Sequence, residues 1–290
     1  MKRSSSRLIG GRYALAEPVA DGATGVLWRA YDGLLRRDVA VKEVRPRLLE
    51  DGRGLREART RALREARSAA RLNHRAIIAV HDLVEEEGRL WIVMERLEAL
   101  SLSETVGHLG SLPVHWAAWI GFQLLGGLRH AHGEGVLHRD IRPGTILLTG
   151  DRVVLSEFGI AALNGESSLT MPVSPAFVAP ERLRGQAATP SADLWSFGAC
   201  LYFAVEGRAP EPSEAGLSVL NSEPRAATRA GALGPVLRGL LHRSPAQRLT
   251  ADHAGRLLTQ VLRGEGVSVS SRGLPRLPVA MRPPEDAFTL

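Results

Sequence analysis

Three groups of residues in this 290-residue chain have the make-up of a reacting centre. Asp140, within His138-Arg139-Asp140-Ile141-Arg142-Pro143-Gly144-Thr145, is a carboxylate of the kind that orients a hydroxyl and takes its proton. A second carboxylate, Glu157, follows seventeen residues later in Glu157-Phe158-Gly159. Lys42, in Val39-Ala40-Val41-Lys42, is one of only two lysines among 37 basic residues, the other being Lys2. A chain that uses arginine almost everywhere and keeps lysine here points to a place for a compact ammonium, for which a planar guanidinium does not substitute. Upstream, Ala20-Asp21-Gly22-Ala23-Thr24-Gly25 carries glycines that let a backbone curl over phosphates and turn its N–H groups toward them; a plain hairpin turn has the same composition. The last of these glycines precedes Lys42 by 17 residues.

Short strands must hold the first group. Tyr13 to Ala20, Val26 to Tyr31 and Asp38 to Val44 read as a meander, broken by the glycine loop and by Asp32-Gly33. A helix is predicted from Leu55 to Leu72, where Leu55, Ala58, Ala62, Ala66, Ala69 and Leu72 recur at spacings of three and four. Ile77 to Val84 and Leu90 to Glu95 follow as strands joined at Glu85-Glu86-Glu87-Gly88. Beyond Arg96 the pattern turns helical. Trp116, Ile120, Leu124 and Leu128 mark one helix, started by Ser111 and Pro113 and ended at Gly133, and others are predicted near 191–206, 232–242 and 250–262. From Gly264 the periodicity is lost, and Pro275, Pro278, Pro283 and Pro284 suggest a disordered tail.

Bulk properties narrow the function classes. One large domain or two packed lobes fit the length. The lone Cys200 allows no internal disulfide, which favours a reducing, cytoplasmic setting. No apolar run approaches the roughly 20 residues that span a bilayer, and the N-terminal residues lack the apolar core of a signal peptide. The net charge of +6 is spread along the chain, and the densest run, Arg53 to Arg71, circles a predicted helix as a solvated face. Without aromatic interleaving or a recognition motif, nucleic-acid binding is not expected.

In order and spacing these motifs resemble the bacterial Hanks-type serine/threonine protein kinases, over about residues 10 to 264. The family pattern is H-R-D-L-K-P-x-N followed by D-F-G. The resemblance implies an α+β, two-lobed fold: a five-stranded antiparallel N-lobe with one helix over 10–96 and a mainly helical C-lobe over 97–263. A flexible segment at 1–9 and a tail at 264–290 flank them. By the same resemblance Ala20, Gly22 and Gly25 cover the ATP phosphates, Ala20 standing where the family has glycine. Leu27, Ala40 and Leu147 sandwich adenine, Met94 is the gatekeeper, and Glu95 to Leu97 form the hinge. Lys42 reaches the phosphates and is held by a glutamate of the first helix. Leu-Arg-Glu-Ala-Arg occurs twice, and Glu65 is chosen over Glu57 because it precedes His74 by nine residues. Asp140 is the catalytic base, and Arg142 stands for the lysine that contacts the transferred phosphate. Ser167, Ser168, Thr170 and Ser174 fall in the activation segment, where Arg139 would meet a phosphate. Glu181, in Ala179-Pro180-Glu181, pairs with Arg248, and Asp193 braces the catalytic loop.

The two metal-holding positions depart from the family. Glu157 adds a methylene to the expected Asp, and Thr145 puts a short hydroxyl where an Asn amide belongs. Magnesium demands near-octahedral oxygen ligation, and a misplacement of about 1 Å can cost about a hundredfold in rate. The expectation is therefore ATP binding through a weakened Mg or Mn site, with transfer to protein Ser/Thr weak or lost, in a regulatory module with a protein substrate or protein partner. The alternative is an active kinase that uses Glu157 as metal ligand, with a preference for manganese. A domain that binds no nucleotide is the third possibility, and the activation segment argues against a small-molecule phosphotransferase.

Overall fold

Apolar residues alternating with a period of two make the first third of the chain an antiparallel sheet buried on both faces. The computed structural model describes residues 7–22, 25–45, 54–158, 175–211 and 223–267. Its sheet runs in the order β1 (Leu8–Ile9), β2 (Tyr13–Gly22), β3 (Gly25–Asp32), β4 (Arg37–Val44), β6 (Arg89–Glu95) and β5 (Val80–Glu86). The sheet has six strands, not five, and the flexibility expected through residue 9 is corrected at its end. Ile9 pairs with Tyr13 and is fully buried in a cluster with Trp91 and Val93.

Register decides which chemistry faces where. Opposite residues share a face, so the pairs Leu27 with Lys42, Lys42 with Ile92 and Ala40 with Met94 bring all five side chains to one face. Val39 and Val41 point the other way, into the cluster of Tyr13, Leu15, Ala30 and Trp91. A slip of one residue in β4 would turn Lys42 to the wrong side. Two hydrogen bonds from Arg12 to Asp32, at 2.8 and 2.7 Å, close the β2–β4 meander, and Asp32 also accepts from the N–H groups of Leu34 and Leu35. Helix α1 (Gly54–Ala69) packs Ala66 against the Lys42 face.

The helical part begins with β7 (Leu100–Ser101) and α2 (Leu102–Leu109). A reciprocal cap starts α2: Ser101 Oγ accepts from the Glu104 N–H at 3.1 Å, and the Glu104 carboxylate accepts from the Ser101 N–H at 2.7 Å. Helix α3 (Val114–Gly133) runs through the centre, with Ile120, Leu124 and Leu128 buried. A small sheet of β7, β8 (Ile146–Leu148) and β9 (Val153–Leu155) lies between the glycine-loop sheet and α3. The remaining α-helices among the described residues are α4 (Pro180–Leu183), α5 (Pro190–Glu206), α6 (Gly234–Leu240) and α7 (Ala251–Gly264). The chain stays packed just past the expected start of the tail, because Val267 rests on the core and donates its N–H to Leu262 O at 2.8 Å. Residues 268–290 lie outside the described residues.

Candidate active site

The site forms where the Lys42 face of the sheet meets the segment from His138 to Phe158. Leu27, Ala40, Met94, Leu97 and Leu147, drawn from β3, β4, β6, the segment after it and β8, join one buried apolar cluster. Glu95 ends β6 and is bound to Ala79 and Arg152. Its N–H donates to Ala79 O at 2.9 Å, and its carboxylate accepts from Ala79 N–H at 2.8 Å and pairs with Arg152.

Of the glycine loop, Gly22 and Gly25 close the β2–β3 hairpin as partners, and Ala20 lies exposed opposite Leu27. Gly25 has φ +136°, and a Cβ there would come within 1.8 Å of Glu43 O, so no side chain fits. Ala23 and Thr24 lie outside the described residues.

Lys42 corrects an expectation. Its ammonium pairs with Glu157, while Glu65 pairs with Arg139. The other carboxylate oxygen of Glu157 accepts from Arg142 Nη2 at 3.2 Å, and Arg142 Nε donates to Asp140 Oδ2 at 3.1 Å. Lys42, Glu157, Arg142 and Asp140 thus stand in a row of alternating charge. Burial opposes the Glu157 charge, but Lys42, by proximity and hydrogen bond, and then Arg142, hold its carboxyl below the usual range. Burial also works against the Arg142 charge, and the Asp140 and Glu157 carboxylates outweigh it, keeping the guanidinium cationic.

Backbone strain and buried hydrogen bonds set this row. Arg139 and Glu157 both adopt left-handed φ values, +69° and +66°, which cost energy in residues with a side chain and persist only where surroundings enforce them. Asp193, in the first turn of α5, supplies part of that enforcement. It accepts from the N–H groups of His138 and Arg139 and from His132 Nε2, each at 2.9 Å. His138 supplies more. Its Nδ1 accepts from Asp140 N–H at 3.2 Å and its Nε2 donates to Ser156 O at 2.7 Å, which requires the neutral ring protonated on Nε2. Burial lowers its pKa, in keeping with that form. Its ring also meets the edge of Phe158 at 4.5 Å. His132, Ser156 and Gly144 were not singled out from the sequence. The contact of His132 spans 61 positions and leaves no local signature.

Thr145 is fully buried. Its hydroxyl accepts from Arg142 N–H at 3.2 Å and faces the carbonyls of Arg142 and Asp140 at 3.0 and 3.3 Å. It is tied into its own loop, and Glu157 meets a cation at each oxygen. As arranged, both positions are engaged with groups of the protein itself. Among the described residues no group of three or more His, Cys, Asp or Glu side chains could hold a metal.

Farther out, Arg248 forms a two-pronged pair with Glu181, at 2.6 and 2.9 Å, and both side chains are buried. The same guanidinium donates to Ser191 O at 2.7 Å and His242 O at 3.0 Å, tying α4 to α5 and to the segment before α7. Ser167, Ser168, Thr170 and Ser174 lie outside the described residues. No helix among the described residues is long and apolar enough to cross a membrane.

Comparison with known proteins places this geometry. A family model described as "Protein kinase domain" matches residues 13–257. The chain is 34% identical over 289 residues to the serine/threonine-protein kinase PkaA of Streptomyces coelicolor, covering 91% of this chain and 52% of that protein. It is 34% identical over 219 residues to the serine/threonine-protein kinase PknL of Mycobacterium tuberculosis, covering 74% and 54%. Over 216 residues it is 32% identical to the serine/threonine-protein kinase PrkC of Bacillus subtilis, covering 73% and 33%. The chain spans about half the length of the first two relatives and a third of the last.

Proposed function

Because the chain belongs to the protein kinase domain family, we propose that it is an ATP-binding serine/threonine kinase domain in which transfer to protein is weak or lost, and which works as a cytoplasmic regulator of a protein partner. The observation that carries this is the Arg142 guanidinium lodged between Asp140 and Glu157. Leu27, Ala40 and Leu147 would hold the base, and Lys42 with the Gly25 turn would face the phosphates. Family members use ATP with a divalent cation, which neutralises charge on the phosphates in transfer. Here the base Asp140 is bound to a neighbour that competes for its lone pairs, and Glu157 is bound to two. Arg142 thus holds one of the two oxygens with which Asp140 would accept a substrate proton.

A second possibility is an active kinase. It is favoured by Asp140 itself, whose side chain is 35% exposed on a loop braced by Asp193. Incubating the purified chain with ATP and either Mg²⁺ or Mn²⁺, and following intact mass beside Asp140→Asn, separates the two. The proposal expects at most a small fraction of the chain to carry phosphate beyond the control. Phosphate on most of the parent chain that vanishes in Asp140→Asn would establish the active kinase instead.

A further inference from the structure

We infer that the Arg142 guanidinium takes the place of a divalent cation in this site, so that the domain binds an adenine nucleotide without metal. The inference rests on the nucleotide-binding proposal above and adds to it the form of nucleotide that is bound. Arg142 reaches the carboxylate that would otherwise face an ion, Glu157 Oε2 at 3.2 Å, and from there also Asp140 Oδ2 at 3.1 Å. Lys42 takes the remaining Glu157 oxygen. The Glu157 charge is therefore met with no ion added, and a planar guanidinium is suited to spanning two carboxylates where a lysine ammonium is a single point.

Gly144 makes room for this arrangement. Its φ is not in the left-handed region, so backbone freedom does not explain a glycine there. A Cβ at position 144 would lie 2.6 Å from Arg142 Nη1, so a side chain there would require the guanidinium to shift. Thr145 completes the set, because its hydroxyl is turned into the loop and holds the Arg142 N–H instead of facing the carboxylates. Arg142, Gly144, Thr145 and Glu157 act together: one supplies the cation, one the space, one the backbone anchor and one the carboxylate. A magnesium ion could ligate Glu157 only by displacing Arg142 or Lys42 from it.

Titration calorimetry of the full chain with ATP, in EDTA and then in Mg²⁺, tests this without requiring turnover. Affinities within about threefold of each other in the two media are expected. ATP binding at least tenfold tighter with Mg²⁺ would overturn the inference while leaving the nucleotide-binding proposal intact. Binding in neither medium would overturn both. Arg142→Lys should free the carboxylates and make ATP binding at least tenfold tighter with Mg²⁺ than in EDTA. Gly144→Ala, which disturbs the guanidinium without removing it, should move the same way by a smaller factor. If both variants stay indifferent to metal, Arg142 is not the substitute cation.

Discussion

Single side chains in this domain do their work by being held. His138 keeps one tautomer because Asp140 N–H and Ser156 O claim its two nitrogens, and Asp193 gathers three donors at 2.9 Å. Asp32 does the same far from the site. The two hydrogen bonds from Arg12 act first, against the cost of burial and with the Leu35 and Leu34 N–H groups, and they hold its carboxyl below the usual carboxylate range. A folded value below the unfolded one, about 4, contributes stability in full above that pH, and the contribution is lost as pH falls toward the folded value. The urea midpoint should therefore drop between about pH 5 and pH 3. Asp32→Asn should lower the midpoint at pH 7 and flatten the acid limb; parallel limbs for parent and variant would contradict the assignment.

Elements are joined here by charges buried in pairs. Arg248 and Glu181 link α4, α5 and the approach to α7 through a guanidinium with no exposure. Removing one member leaves the other buried without its partner. Arg248→Met should cost about 3–5 kcal/mol in urea unfolding, while Arg248→Met with Glu181→Leu should cost well under that, since no orphan charge remains. Equal losses in the single and double variants would show that packing over Trp195, not the pair, sets the cost. The same reasoning bears on α1, whose Glu65 is bound to Arg139, so the helix and the segment that carries Asp140 are joined through an ion pair.

At the scale of the whole molecule, the sequence revealed most where motifs are local. Periodicity located α3, α5, α6 and α7 to within two or three residues, and the Lys42, Asp140 and Glu157 segments converge as their order implied. Strand β1 was hidden because two residues carry no period, and its evidence is the burial of Ile9 beside Trp91. Helix α2 was legible in Ser101-Leu102-Ser103-Glu104, whose cap spacing went unread. Ion-pair partners were the least visible feature. Glu65 and Glu157 are both carboxylates within reach of cations, and which one takes Lys42 depends on where Arg139 and Arg142 lie.

The central claim is that Arg142, Thr145 and Glu157 together hold phosphoryl transfer down. The most direct measurement is the initial rate of phosphate transfer to a Ser/Thr peptide mixture by the parent chain and by Arg142→Lys/Thr145→Asn/Glu157→Asp. The triple variant should transfer at least about a hundredfold faster in Mg²⁺ and lose that gain in Asp140→Asn. A triple variant that folds, binds ATP and transfers no faster than the parent would contradict the account.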